Sequence, residues 1–441
     1  GPIVAVAFSS DLVALRSTVT FQDIRAGHNI AIFHAASTAE VNVVARTDGD
    51  ATWTDDDTGA THGLTDGSGK IDVLTNGNIT VIEQSSRGDL RVGHIHTTGL
   101  CSGAQPKACT AGSGALTADV VLRSPARILD AELDSGVLDT DDDPTCVDAY
   151  DLDCGGVTKT GIDVTGRNIT MTAGDNGLLE AGSISGFGGI GLPDNFLEIQ
   201  VNAIGGAPGK LDAHDLAADD DKTLGIHLDQ VAGDLRIGVV ETAGDDSLST
   251  GNVSLRSRAG SIIDADGDAA ADVLGQSIDI DAHGGSIGTS SKDLDIDSLR
   301  GSPFACTNVN CANNPDGTSD AGLAAGADDV ALEAGTGIYV TETDAYLRLV
   351  LAHAVTGNIR ITVRESAQLD EDLYLIRNGT ANFAEDNTTV PGNDADHPRV
   401  IPVGTILAET GSVELRVGDD ITLHQNTQIL ADLGIDIRGD Y

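Results

Sequence analysis

Residues 88–93 read GDLRVG, and residues 233–238 read GDLRIG. The shorter phrase Leu-Arg-apolar occurs again at residues 347–349 and 415–417. A chain that repeats itself in this way is built from one supersecondary unit used several times. The repeat therefore predicts a division of the chain into four parts. The predicted parts are an N-terminal strand-rich segment (1–70), repeat unit 1 (71–215), repeat unit 2 (216–330), and repeat unit 3 with C-terminal coils (331–441).

The repeated segments have the pattern of β-strands. Residues 226–228 (IHL), 253–255 (VSL) and 278–280 (IDI) alternate apolar and polar side chains, which indicates strands with one buried face. Glycine and aspartate separate these segments and favour turns. No window sustains the apolar spacing of an amphipathic helix, so we predict an all-β protein with almost no helix.

The spacing of the strands favours a parallel β-solenoid (β-helix). Successive apolar centres lie 25 to 29 residues apart (for example 197 − 169 = 28 and 278 − 253 = 25), at Ile169, Leu197, Ile226, Val253 and Ile278. That step fits one coil of a solenoid, in which each coil stacks on the previous one. A tandem β-sandwich array is the alternative, and it requires antiparallel hairpins. In the solenoid, the leucine of each Leu-Arg phrase points inward and the arginine outward.

Composition and charge narrow the classes of function. The formal net charge is −44, with 69 acidic and 25 basic residues among 441. Nucleic-acid binding is excluded because contact with phosphates requires a basic face. A chain with this charge repels itself unless counter-ions bind. Calcium, which prefers clustered carboxylates, and adaptation to high salt both explain the acidity.

The six cysteines occur in three close pairs, each in a polar loop between strand segments. Local disulfides are the natural interpretation, and they place the chain in an oxidising compartment. A metal site would require Cys-x-x-Cys or a Cys/His quartet, which the sequence lacks. The predicted bridges are Cys101–Cys109, Cys146–Cys154 and Cys306–Cys311.

One aspartate-rich loop is a candidate calcium site. Asp264, Asp266, Asp268 and Asp272 occupy positions 1, 3, 5 and 9 of a short stretch, from which carboxylates can converge on one ion. The stretch resembles part of the calcium loops of dockerin and thrombospondin type 3 repeats. It lacks the glycine and terminal glutamate of an EF-hand. The equivalent place in the first repeat holds Asp130, Glu132 and Asp134. The alternative is an acidic, solvated turn.

Catalytic motifs are absent from the sequence. His94 and His96 flank Ile95 and point to one face of a strand, but no third metal ligand is evident. Gly-x-Ser-x-Gly, His-Glu-x-x-His and Walker A motifs do not occur. Some polysaccharide lyases and glycosidases use β-helices and paired carboxylates. A carbohydrate-active β-helix enzyme therefore stays the alternative class, although we expect no enzymatic activity.

Segments of the form Gly-Asn-(Ile/Val)-x-apolar recur at residues 77–81, 251–255 and 357–361. They resemble those of giant repetitive bacterial surface proteins, of which filamentous-haemagglutinin-like β-helical adhesins are the best-known examples. The resemblance covers roughly residues 70–440 and is one of pattern. It implies a secreted or cell-surface protein with a structural or adhesive role, and surface glycans as possible partners. It assigns no functional residue.

These observations lead to one expected function. We expect an extracellular structural protein, a subunit or stalk segment of a surface adhesin, filament or coat. The opening residues GPIV are typical of a mature product or a fragment of a longer one, and no run of 18 apolar residues occurs. Residues 3–8 and 421–437 are both strand-like. We therefore expect them to pair head to tail with identical copies or with further repeats of the same polypeptide.

Overall fold

Parallel strands that return to the same two sheets make up the computed structural model. It describes the following residues: 3–6, 19–26, 30–34, 41–47, 52–54, 61–63, 71–75, 77–83, 89–97, 118–131, 162–178, 187–193, 195–201, 208–217, 223–242, 251–298, 329–344, 346–365, 371–376 and 401–439. The chain divides into two compact units, residues 1–233 and 234–441. No helix in the described ranges is long and apolar enough to span a membrane.

The first unit contains seventeen described strands and one 3-10 turn at Asn176–Leu178. The strands are β1 Ile3–Val6, β2 Val19–Ala26, β3 Ile30–His34, β4 Val41–Thr47, β5 Thr52–Thr54, β6 Thr61–Gly63, β7 Ile71–Thr75, β8 Ile79–Glu83, β9 Leu90–Thr97, β10 Val120–Arg123, β11 Ile128–Asp130, β12 Val164–Gly166, β13 Ile169–Ala173, β14 Gly188–Ile190, β15 Leu197–Val201, β16 Leu211–Asp215 and β17 Thr223–Gln230.

The second unit contains sixteen described strands. They are β18 Leu235–Thr242, β19 Val253–Ser257, β20 Ile262–Asp264, β21 Val273–Leu274, β22 Ile278–Ala282, β23 Leu294–Asp297, β24 Asp329–Ala334, β25 Ile338–Glu342, β26 Leu347–Ala354, β27 Ile359–Val363, β28 Leu373–Leu375, β29 Thr405–Ala408, β30 Ser412–Val417, β31 Ile421–Leu423, β32 Gln428–Ala431 and β33 Gly434–Arg438.

Within each unit the chain alternates between two sheets. In the first unit β8, β10, β13 and β16 pair in succession in one sheet, while β7, β9 and β11 belong to the other. In the second unit β23, β25, β27, β30 and β33 form such a succession. These ladders are parallel, and the hairpin β5–β6 is antiparallel. The parallel β-solenoid is confirmed, because a sandwich array would require antiparallel pairing throughout.

The core of each unit is a column of apolar side chains. Val120, Ile169 and Leu211 lie in register in consecutive coils and are fully buried. The predicted coil step holds for Val253 and Ile278, which are direct partners. It fails between Ile169 and Leu197, because Ile169 pairs with Leu211 instead. Insertions of varying length separate the strands, so a constant step describes only some coils.

The Leu-Arg phrase marks strands in either sheet. Its four leucines are fully buried and its four arginines only partly so, as the alternation predicts. In the second unit, however, Leu235 and Leu415 belong to one sheet and Leu347 to the other. The phrase is therefore a signal for a strand with one buried face, and it does not recur at one fixed place in the coil.

The Gly-Asn motif has a structural role that the sequence did not reveal. The side-chain oxygen of Asn78 accepts the backbone N–H of Asp119 in the next coil at 2.9 Å, and Asn358 accepts that of Ser412 at 2.9 Å. The residue before the strand thus ties two coils together. At Gly357 an added Cβ would lie 2.2 Å from the carbonyl oxygen of Thr336, so the glycine permits the close approach of the coils.

Candidate functional site

The predicted calcium loop connects β20 to β21. Oδ1 of Asp264 accepts the backbone N–H groups of Asp266 at 2.8 Å and Gly267 at 2.7 Å. Oδ1 of Asp268 accepts that of Ala270 at 2.9 Å. These side chains fix the turn, and Gly267 supplies its positive φ of 72°. Asp266 and Asp268 remain exposed.

Stacking of the coils brings Asp264 and Asp272 together with Asp295. One carboxylate oxygen from each lies within 4.8 Å of the others. Asp272 and Asp295 are only 3 % and 4 % exposed. Because β21 pairs with β23, Asp295 lies beside Asp272 and donates its backbone N–H to Oδ2 of Asp272 at 3.0 Å. The sequence suggested Asp264 and Asp272, but not Asp295.

Two cationic side chains contact this acidic cluster. Nζ of Lys292 lies 3.2 Å from Oδ2 of Asp264 and 3.6 Å from Oδ2 of Asp295. A terminal guanidinium nitrogen of Arg364 lies 3.1 Å from Oδ1 of Asp295. Lys292 and Arg364 also donate to the backbone carbonyls of Asp268 and Ala269. Lys292 and Arg364 therefore bind both the carboxylates of the cluster and the backbone of the loop.

Burial changes the acid–base properties of the cluster. It raises the pKa of Asp272 to about 8, and the negative charges of Asp264 and Asp295 contribute to the rise. Burial also raises the pKa of Asp295, against the opposing charges of Arg364 and Lys292. Like charges that share a buried site favour binding of a proton or a cation. The cluster can therefore hold a proton, its own lysine or a divalent ion.

A second acidic cluster lies in the first unit. Asp130, Asp163 and Glu198 are all buried and bring one oxygen each within 4.8 Å of the others. Oδ2 of Asp163 accepts the backbone N–H of Glu198 at 2.8 Å. Asp130 was a predicted ligand. The other two predicted ligands of this loop, Glu132 and Asp134, lie outside the described residues.

A third set of acidic side chains is also close enough together to hold a metal ion. Glu365, Glu371 and Asp419 form a cluster in the second unit, of which only Glu371 is buried.

The rings of His94 and His96 lie on one face of β9 with their centroids 5.4 Å apart, as the alternation predicts. Nε2 of His96 lies 2.6 Å from the carbonyl oxygen of Ile162. That contact gives His96 a structural role.

All six cysteines lie outside the described residues. Their three predicted disulfides therefore stay predictions.

The last described coil exposes positions that are core positions elsewhere. Ile435 and Ile437 of β33 are in register with Val413 and Leu415 of β30. Val413 and Leu415 are 0 % exposed, whereas Ile435 and Ile437 are 49 % and 48 % exposed. Leu433 beside them is 72 % exposed. The apolar face of this coil is available for contact.

No family model matches this chain. Comparison with curated proteins and with solved structures also gives no significant match.

Proposed function

We propose that this chain is an extracellular structural protein, a subunit or stalk segment of a surface adhesin, filament or coat. In this proposal it associates with further copies of itself by stacking coil on coil. The supporting observation is the half-exposed pair Ile435 and Ile437, which occupy core positions of the solenoid.

The physical argument starts from how a solenoid buries its core. Each coil covers its apolar face only with the neighbouring coils. A further coil placed on β33 would bury Ile435 and Ile437 as β33 itself helps to bury Val413 and Leu415. The edge of a strand also offers unpaired backbone groups, to which another strand can add. Apolar burial and backbone hydrogen bonding therefore both favour an added coil.

The proposal also includes the binding of calcium to one of the acidic clusters. The oxygen ligands of Asp264, Asp272 and Asp295 suit a hard cation such as calcium. The ammonium group of Lys292 lies against the same carboxylates, so calcium would bind in competition with it. Any bound cation stabilises the folded state of a chain with a net charge of −44, because it reduces the repulsion between the negative charges. Calcium should therefore strengthen association between copies.

Sedimentation equilibrium over a range of concentrations tests the proposal. We expect the unmodified chain to form oligomers whose size grows with concentration, and to do so more strongly with calcium than with a chelator. The double variant Ile435→Lys/Ile437→Lys should remain monomeric, because two buried charges would oppose stacking. Leu216→Lys is the matched control, because Leu216 is an exposed leucine (38 %) of the first unit.

Circular dichroism should show that all three chains keep their β-structure. The proposal is wrong if the unmodified chain stays monomeric with and without calcium. It is also wrong if the double variant associates as strongly as the control.

A further inference from the structure

We infer that Asn78 is the attachment site of an N-linked glycan. Asn-x-Ser/Thr triplets, in which x is not proline, are the acceptor pattern for such glycans in secreted proteins. The sequence contains five of them, which begin at Asn78, Asn168, Asn252, Asn378 and Asn387. The last two lie outside the described residues. The inference rests on the extracellular location in the proposed function.

The chemistry of attachment sets what the structure must offer. Nδ2 of the asparagine forms a bond to the anomeric carbon of a sugar and loses one proton. The bond from that carbon to a phosphate-bearing carrier breaks, and the carrier leaves with its phosphate. A transferase and a carrier-linked sugar of the export route supply the reaction. The amide oxygen takes no part in the new bond, so it can still accept a hydrogen bond.

Asn78 offers a side-chain nitrogen that is available for this bond. Asn78 is exposed and lies directly before β8. Its Oδ1 accepts the backbone N–H of Asp119 at 2.9 Å, and only the oxygen of the amide can be that acceptor. Nδ2 donates no hydrogen bond within the described part of the chain. A glycan on Nδ2 therefore leaves the hydrogen bond between the coils in place.

The hydroxyl group of the same triplet is also at the surface. Thr80 follows Ile79 in β8, where burial alternates from residue to residue. Ile79 is fully buried, whereas Thr80 is partly exposed on the outer face. The folded coil thus presents both the nitrogen and the hydroxyl group of this triplet to a transferase.

The other two described triplets are less suited to carry a glycan. Nδ2 of Asn168 donates to Oδ1 of Asp119 at 3.0 Å, and the same carboxylate accepts two hydrogen bonds from Arg167 at 2.9 Å. A sugar on this partly exposed nitrogen would crowd the ion pair. In the triplet of Asn252, the hydroxyl residue Ser254 is only 1 % exposed.

Asn358 provides a matched comparison within the chain. It is exposed and directly precedes β27, and its Oδ1 accepts the backbone N–H of Ser412 at 2.9 Å. Its surroundings therefore match those of Asn78. Residue 360 is an arginine, so the triplet lacks the hydroxyl group. A modification that depends on the triplet should occur at Asn78 and be absent from Asn358.

Glycopeptide mass spectrometry of the chain recovered from the surface of the cells that produce it tests the inference. Electron-transfer fragmentation keeps a glycan on its side chain and so locates the modified residue. We expect a glycan at Asn78 and none at Asn168, Asn252 or Asn358. Thr80→Val keeps the branched shape without the hydroxyl group and should abolish the glycan, whereas Thr80→Ser should retain it. Circular dichroism should show unchanged β-structure for both variants.

The possible results separate this inference from the proposed function. An unmodified Asn78 in chain recovered from the cell surface would overturn the inference and leave the proposed function standing. A glycan that persists in Thr80→Val, or one that occurs equally at Asn358, would also overturn it. Recovery of the chain only from inside the cells would instead contradict the extracellular location on which both rest.

Discussion

Strands β30 and β33 have similar sequences and very different surroundings. Both are strands of the same sheet and partners in one parallel ladder. The outward arginine of each bonds an acid two residues earlier: Nε of Arg416 donates to Glu414 at 2.9 Å and Nε of Arg438 to Asp436 at 3.1 Å. The local pattern is thus the same on the outer face.

The inner faces of the two strands differ. Val413 and Leu415 are fully buried in β30, whereas the matching isoleucines of β33 are about half exposed. In a solenoid, therefore, the sequence of a strand selects which side chains point inward. Whether those side chains are buried depends on the neighbouring coils.

The first prediction compares truncation of one buried side chain of β30 with truncation of one side chain of β33. Leu415→Ala should lower the free energy of unfolding by about 3 kcal/mol, because it removes a fully buried side chain and leaves a cavity. Ile437→Ala should lower it by less than about 1 kcal/mol, because its side chain is half exposed. Chemical denaturation of monomeric samples measures both. Equal losses for the two variants would show that the last coil is covered like the others.

The second prediction concerns the carboxyl group of Glu342, which lies in register between Ile296 and Val363. Glu342 is fully buried, and burial raises its pKa well above the usual value. The folded protein therefore keeps a proton that the unfolded chain loses above about pH 4.3. The contribution of Glu342 to the free energy of unfolding is full below that pH and is lost as the pH rises towards the folded pKa. Asp272, with a pKa of about 8, acts in the same direction.

Glu342→Gln should flatten this dependence, because the amide keeps the size of the side chain and does not ionise. Unfolding midpoints between pH 5 and 8 provide the measurement. Glu414→Gln is the control, since Glu414 lies partly exposed on the outer face of β30. If the two variants lose stability with rising pH equally, Glu342 does not carry the dependence.

The third prediction concerns the hydrogen bonds between coils and involves the smallest change in stability. Asn358→Ala removes the acceptor for the N–H of Ser412 and should lower the free energy of unfolding by about 1 kcal/mol. Asn358→Asp keeps an acceptor and should cost less. Asp420→Ala, in the last described coil, should have almost no effect on the monomer, because the described hydrogen bonds of Asp420 use its backbone N–H and carbonyl groups, which alanine keeps. Thermal denaturation ranks the three variants, and a different order would contradict this role.

Much of the fold was predictable because strand alternation is local. The apolar–polar period at residues 253–255 and 278–280 identified strands, and the direct pairing of Val253 with Ile278 confirmed one coil step. The step from Ile169 to Leu197 was not predictable in this way. The lengths of the insertions decide which strands meet, and no local pattern encodes that choice.

The candidate site was likewise only partly predictable from the sequence. The sequence placed Asp264 and Asp272 in one short loop, and it could not separate them from the exposed Asp266 and Asp268. The tertiary structure added Asp295, which lies 295 − 272 = 23 residues from Asp272 along the chain.

The strand faces, the turns and the strong net negative charge follow from the sequence alone, because they depend on neighbouring residues and on composition. The meeting of Asp264, Asp272 and Asp295 follows from the tertiary structure. It is a consequence of the register between coils, which is set by contacts between residues distant in sequence.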